Sequence, residues 1–508
     1  MDFALAILSG ALLALSFPKY GHPAFAWIAL APLLVAVCRV RLPGWRRAFW
    51  LGWITGTVYF WGTLYWLVQT MVTFGGLSTP LAVFAAFLLV AYLSLFPAAF
   101  GAIHGYLRAR LGLWTILLAP ATWAATEMGR TYIWDGFPWA LLGYSQVRVL
   151  PVAQVASVVG VYGLSALIAL VSAGCAYVAL GRGRNRWVWA GGIAALLLGI
   201  GVWGGARLRA SALEHAGAPI RVGVIQGNIE QEQKWDPALR DSITDRYLSM
   251  TREAIGRGAQ FIIWPESSTP FYYEQDDLRA SKIRRLAREA HVTILFGSDQ
   301  IEPVKTVPPE QTGERYYNAA FVVQPDGRTG AVYRKIHLVP FGEYVPLKRL
   351  FFFVSPIVEA VSDFSPGTAA VLLPVAGHQA STAICYEVIY SRLMRRFVTE
   401  GSELLTTITN DAWYGWSSAA YQHWEQAALR SIEEGRYLAR AANTGISGFV
   451  DPYGRILQRS RMFESAVMVE DLRFITHRTI YSRIGDLVGW LSVLLTVAAL
   501  LAARNSRI

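Results

Sequence analysis

Three stretches decide how this chain is read: FIIWPE at 261–266, AVYRKIHLVPFGEYVP at 331–346 and STAICYE at 381–387. Each holds a short apolar run that stops at a titratable residue, Glu266, Lys335 or Cys385. Strands that end in this way present side chains along one edge of a sheet. Around them, from about 219 to 472, runs of the same kind at 221–225, 292–296, 319–323, 371–373 and 404–408 alternate with amphipathic stretches. Helices are expected over 242–257, 277–290 and 419–442. The rhythm predicts a layered α/β domain large enough for its own core.

The three end residues form a coherent chemical set. A free thiol titrates near about 8.5, so at neutral pH it is mostly protonated and a carboxylate within reach is useful as a base. A fixed ammonium lowers the thiol pKa and stabilises a tetrahedral oxyanion, and N–H groups turning behind the thiol add to that site. Taken singly, each residue has a plainer reading. A Glu or Lys after a strand is usually a solvated surface group, and an unpartnered cysteine is either an inert small hydrophobe or a reactive thiol. Cys38 and Cys175 fall in apolar segments, which leaves Cys385 without a disulfide partner in its own domain. The eight histidines, His337 included, show no metal-ligand spacing, so no metal or other cofactor is expected.

Outside this domain the composition changes. The 508-residue chain is 54% hydrophobic and only 16% charged, against about 25% charged in soluble proteins. Apolar stretches near or above the roughly 20 residues that cross a bilayer lie at about 3–17, 23–38, 48–69, 80–106, 113–128, 151–180, 188–205 and 486–503. A polytopic helical bundle of about eight spans is therefore expected, seven of them within 1–205 and one, with a short tail, within 484–508. Of the net charge of +11, nine charges lie before residue 206, where arginines in short loops orient spans and do not form a phosphate-tracking patch. Nucleic acid is not an expected partner. Taken alternately, one set of loops and ends carries eleven Lys/Arg and the other three (Lys19, Arg130, Arg148). By the positive-inside rule both termini are cytoplasmic and the 219–472 domain is extracytoplasmic.

Two aromatic groups stay open on residue type alone. LFFFV at 350–354 is either a buried strand or a loop over a lipid site, and Trp413 and Tyr414 either line a pocket or belong to the core. The triad itself is compatible with a membrane-tethered amidase or nitrilase acting on a small molecule. A transporter or binding protein predicts charged or broken helices in repeated halves, and neither repeats nor an acidic relay are evident.

The order Glu266, Lys335, Cys385 in the contexts WPES, YRKIHLVPFGEYVP and ICYE resembles the Glu-Lys-Cys triad of the nitrilase, or carbon-nitrogen hydrolase, superfamily. QGNI at 226–229 with Gln233, Lys234 and Trp235 behind it, YNAA at 317–320 and NDAWYG at 410–415 match as well. Seven spans before such a domain and one after it are similar to the superfamily's membrane-embedded apolipoprotein acylating branch. The resemblance implies an αββα sandwich in the periplasm, mounted on a bundle in the bacterial inner membrane. It implies transfer of an acyl chain from a phospholipid, phosphatidylethanolamine being the usual donor, through a Cys385 thioester to the α-amino group of a diacylglyceryl cysteine that begins an apolipoprotein. Glu266 would be the base, Lys335 the oxyanion cation and Glu343 a supporting carboxylate, with Tyr386 and Glu387 following the nucleophile. Trp235 would touch substrate, and Phe351, Phe352 and Phe353 are assigned to an arm over the lipid entrance.

Overall fold

Among the residues that the computed structural model describes (1–40, 44–134, 136–181, 183–305, 312–344 and 364–506), twelve strands form two six-stranded sheets. The first runs β12 (Ala466–Phe474), β1 (Ala218–Gln226), β2 (Phe261–Ile263), β3 (Thr293–Lys305), β4 (Thr312–Val323), β5 (Thr329–Arg334). The second runs β11 (Ile456–Arg459), β10 (Gly448–Val450), β9 (Leu438–Ala442), β8 (Leu404–Thr409), β7 (His378–Ile384), β6 (Leu373–Val375). Each sheet has a parallel centre: Val224 pairs with Ile263 and Ile263 with Leu295 in one, Ile384 with Ile408 and Ile408 with Ala441 in the other. Parallel strands are covered on both faces, which is why β8 (LLTTIT) and β9 (LARAA) are buried at every position.

The Arg240–Gly256 and Asp277–Ala290 helices cover the first sheet, setting Ile243, Tyr247, Leu248 and Ile283 against Ile225, Ile262, Ile294 and Phe296. The second of these starts on Asp276, whose carboxylate accepts from the Arg279 N–H at 3.1 Å, a side-chain cap for an otherwise unpaired donor. The expected helix over 419–442 needs correction. The helix is Ala419–Glu434, and Leu438–Ala442 is β9. Gly435, at φ +63°, takes the left-handed turn that stops a helix at little steric cost. An apolar run of five residues reads equally as helix or as central strand.

By its contacts the chain divides into two units, Ala212–Trp416 with Glu434–Arg478, and Met1–Ser211 with Ser417–Glu433 and Thr479–Ile508. The second is helical. Four of its described helices are long and apolar enough to cross a bilayer (Thr79–Leu111, Ala156–Leu180, Asn185–His215, Leu487–Asn505), and Asp2–Ala14 and Pro23–Arg39 are apolar but shorter. Trp45–Leu64 packs against Thr79–Leu111 through glycines: a Cβ on Gly52 would fall 2.2 Å from the Pro97 carbonyl oxygen, and one on Gly101 2.4 Å from that of Ala48. Gly56 and Gly105 repeat the contact one turn along. Backbones that approach so closely gain packing energy where no water remains to be expelled.

Residues 417–433, though inside the 219–472 stretch, group with the helices. Gln422 accepts from the Trp139 indole at 2.7 Å and donates to the Pro18 and Thr63 carbonyls. Arg430, wholly buried, pairs with Glu433 at 3.1 Å and donates to the Tyr144 hydroxyl, and Glu433 accepts from the Val161 N–H.

Candidate active site

Cys385 sits where β7 stops and a single 3-10 turn (Cys385–Ile389) begins. Its φ is +53°, a left-handed conformation that costs a side chain about 1–2 kcal/mol. Glu387 holds that elbow. One carboxylate oxygen accepts from the Ile384 N–H at 2.8 Å. The other accepts from the Tyr333 hydroxyl at 2.7 Å, the Ile336 N–H at 2.6 Å and the His337 N–H at 3.1 Å. Burial pushes the Glu387 carboxyl up to about 7 against the pull of these donors. The same carboxylate thus binds the turn that carries the thiol to the segment that carries Lys335.

Lys335 follows β5, with its N–H on the Asn318 carbonyl at 2.9 Å and its own carbonyl accepting from Gly367 at 2.7 Å. Its buried ammonium donates to Glu343 at 2.8 Å and to Glu266 at 3.4 Å. Burial alone would depress its pKa, but Glu343, then Glu266 and Cys385, raise it above the ordinary lysine value. The cation is therefore fixed at any physiological pH.

Glu266 lies past the end of β2, after Trp264 and Pro265. Gly297 on β3 makes room for it, since a Cβ there would lie 2.6 Å from the Glu266 Cα. One Glu266 oxygen accepts from the Asn318 amide at 2.7 Å and the other from the Asn410 N–H at 2.9 Å. Asn318 donates from the same nitrogen to Glu343 at 2.8 Å, and Glu343 also accepts from the Val339 N–H at 2.8 Å. The Cys385 thiol is pushed above its ordinary pKa, first by burial and then by the Glu266 carboxylate. Lys335 and a hydrogen bond with Thr409 pull it back only in part. Glu266, Lys335, Glu343, Cys385 and Glu387 thus converge in one buried polar cluster within the α/β unit.

The remaining expected residues divide. Tyr386 is buried edge-on against Tyr390, with ring centres 5.3 Å apart. Tyr414 is close enough to Cys385 and Glu266 for both to raise its pKa further, after burial, while Trp413 beside it is half-buried. Trp235 is 37% exposed and lines an open cleft of about 500 Å³ with Arg240, Phe271 and Tyr272. Phe351, Phe352 and Phe353 lie outside the described residues. His337 stacks on Tyr390 at 4.1 Å. Among the described residues no group of three His, Cys, Asp or Glu could hold a metal ion.

Four contributors went unread in the sequence. Asn318 bridges two carboxylates, the Asn410 N–H reaches Glu266, Lys234 donates to the Glu266 carbonyl at 3.1 Å, and Asp411 pairs with the buried Arg440 at 2.7 Å behind the Asn410 turn. All four lie in or beside the runs YNAA, NDAWYG and QGNI, which carried the signal without the roles, whereas their partner Arg440 lies in none of them.

A sandwich of two mixed sheets with a carboxylate, an ammonium and a thiol meeting at strand ends defines a carbon-nitrogen hydrolase domain, and the model of that family matches residues 221–478. A second model, the apolipoprotein N-acyltransferase N-terminal domain, matches residues 9–174. The apolipoprotein N-acyltransferase of Geobacter metallireducens is 40% identical, over 99% of this chain and 96% of its own. That of Methylococcus capsulatus is 34% identical over 95% and 92%. The chain belongs to the apolipoprotein N-acyltransferase family. Among solved structures, an amidase from Nesterenkonia AN1 aligns with 52% of this chain and 93% of its own at 22% identity and a TM-score of 0.38.

Proposed function

We propose that this protein moves an acyl chain from a membrane phospholipid, phosphatidylethanolamine, to the α-amino group of the N-terminal diacylglyceryl cysteine of apolipoproteins, by way of a thioester on Cys385. The carrying observation is the buried convergence of Glu266, Lys335 and Cys385 in a chain of this family. In the first half-reaction Glu266 takes the thiol proton as sulfur attacks the ester carbonyl carbon. The oxyanion that forms is met by the Lys335 ammonium and the N–H of Tyr386. Collapse breaks the C–O bond, and the lysophospholipid oxygen leaves with the proton from Glu266. In the second half-reaction the free amine attacks the thioester carbonyl carbon and loses a proton to Glu266, and collapse breaks the C–S bond, the sulfur taking that proton to regenerate the Cys385 thiol.

The raised thiol pKa suits this cycle. A thiol that keeps its proton until substrate arrives does not hold a buried, unpaired thiolate at rest. Glu343 holds Lys335 and Glu387 holds the elbow. Trp235, Trp413 and Tyr414 are assigned to lipid and acceptor contact. The membrane reading extends to about eight spans in the inner membrane, with both termini cytoplasmic and the α/β unit periplasmic. A site mounted in this way receives acyl chains without extracting them into water at about 0.8 kcal/mol per methylene. The test is intact-mass analysis after incubation with phosphatidylethanolamine alone. A hydroxylamine-labile gain of one acyl chain, absent from Cys385→Ala, supports the thioester. No adduct on folded protein, with no lysophospholipid released, overturns it in favour of a small-molecule amidase or a binding protein.

A further inference from the structure

The Asn410 N–H that reaches Glu266 belongs to a turn that is itself held in place. Strands β8 and β9 run parallel and end side by side, Thr409 opposite Ala442, so the next residues, Asn410 and Asn443, are neighbours past the end of the sheet. The Asn443 N–H carries the ladder one step further, donating to the Thr409 carbonyl at 3.1 Å. Its side chain, wholly buried, turns to the segment after β1, a strand of the other sheet. There its amide oxygen accepts from the Ile229 N–H at 3.0 Å and its amide nitrogen donates to the Ile229 carbonyl at 2.8 Å, the two bonds that residues exchange in an antiparallel ladder. The same nitrogen donates to the Asn410 side-chain oxygen at 3.1 Å, and the Asn410 amide nitrogen donates in turn to Gln231 at 2.6 Å. The Asn443 carbonyl accepts from the Asn228 N–H at 2.8 Å.

Glu266 depends on that turn. One of its oxygens accepts from Asn318 and Lys335, the other from the Asn410 N–H at 2.9 Å. A carboxylate held at one oxygen still rotates about its terminal bond, and the bond at the second oxygen fixes its plane. We propose that Asn443 is a positioning residue for the reaction at Cys385: it ties the ends of β8 and β9 to the segment after β1 and so keeps the Asn410 N–H on the Glu266 carboxylate. The inference rests on the reading of Glu266 as the base. A misplacement of about 1 Å in a supporting group can cost about a hundredfold in rate, so a residue that touches neither thiol nor lipid can still govern the chemistry.

The test takes two readouts on the full-length protein in detergent. In acyl loading from phosphatidylethanolamine, Asn443→Ala should lower the maximal rate about tenfold or more and leave the half-saturating lipid concentration unchanged. In alkylation of Cys385 by iodoacetamide at one fixed pH, which needs no lipid, Asn443→Ala should slow the wild-type protein but not Glu266→Gln, because residues that act through one another do not add. An equal loss in both backgrounds marks a merely structural role and overturns the inference, as does an unchanged rate or a change confined to half-saturation. If Asn443→Ala does not fold, Asn410→Ala decides by the same readouts and the same outcomes, since it cuts the link to Asn443 and leaves both Ile229 bonds. Failure of the proposed function looks different: the wild type gains no acyl chain, and the alkylation comparison still decides this inference. Glu266→Gln alkylating as fast as wild type removes the base, and the inference with it.

Discussion

The hydroxyl of Tyr333, the penultimate residue of β5, lies 2.7 Å from the carboxylate of Glu387, two residues past the thiol. Through that bond and the Ile336 and His337 N–H groups, one buried carboxylate sets the spacing between the Cys385 elbow and the Lys335 segment. Tyr333→Phe removes one hydrogen bond to a charged group, worth about 1.5–3 kcal/mol. It should lower the melting temperature and slow Cys385 acylation while leaving the protein folded. Glu387→Ala strands four donors and should cost more in both. Thermal unfolding in detergent and intact-mass time courses check the ranking, and a Tyr333→Phe protein as stable and as fast as wild type would remove this role.

Asn318 is the second place where one group serves two. Its amide donates to Glu266 and Glu343 from one nitrogen. Asn318→Asp keeps the shape and puts a third carboxylate against the other two. With both bonds replaced by repulsion, acyl loading should fall about a hundredfold or more. Asn318→Ala, which only deletes the donors, should lose less. A time course in which Asn318→Asp loads at the wild-type rate contradicts the bridge.

Asp299 gives a pH signature in stability. Its carboxyl titrates at about 7 in the folded chain, mainly because of burial, against an ordinary 3.8. Between those values the folded state holds the proton more tightly than the unfolded state. Stability from this group is thus complete below the lower value and is lost as pH rises through the upper one. Asp299→Asn does not ionise, so its melting temperature relative to wild type should be higher at pH 8 than at pH 5. A difference that stays flat with pH excludes a buried, protonated Asp299.

In the helical unit, Gly52→Leu would drive a side chain into the Pro97 backbone, whereas a Cβ on Gly191 meets nothing within 4 Å. The first should abolish recovery of monodisperse protein after detergent extraction, and the second should leave it unchanged. Size-exclusion profiles of the two variants separate close helix packing from a general intolerance of bulk.

The strand ends near which Glu266, Lys335 and Cys385 lie were legible because each falls in a short motif after an apolar run, and local pattern marks strand ends well. The helix over 277–290 was legible from its amphipathic spacing, and the structure adds the Asp276 cap and the left-handed His291 that bound it. Asn318 lies inside β4, where neither period nor composition shows that its amide turns toward two carboxylates fifty-two and twenty-five residues away. The reading of 419–442 as one helix failed at Gly435, since LARAA has the composition of a helix and only its partners β8 and β10 make it a strand. Register between distant strands is a tertiary fact, and it overrides propensity there.

The excursion of residues 417–433 bears on how this protein can be taken apart. A polypeptide cut to 212–478 would still carry that stretch, but without the Trp139, Tyr144 and Val161 groups that satisfy Gln422, Arg430 and Glu433. Its buried ions would be left to water, and its apolar face to neighbouring molecules. The hydrolase half is thus not a detachable cassette. Grafting it onto another anchor, or expressing it alone, requires redesign of that one helix first, and a helical half made without it would lack an internal strut of its own.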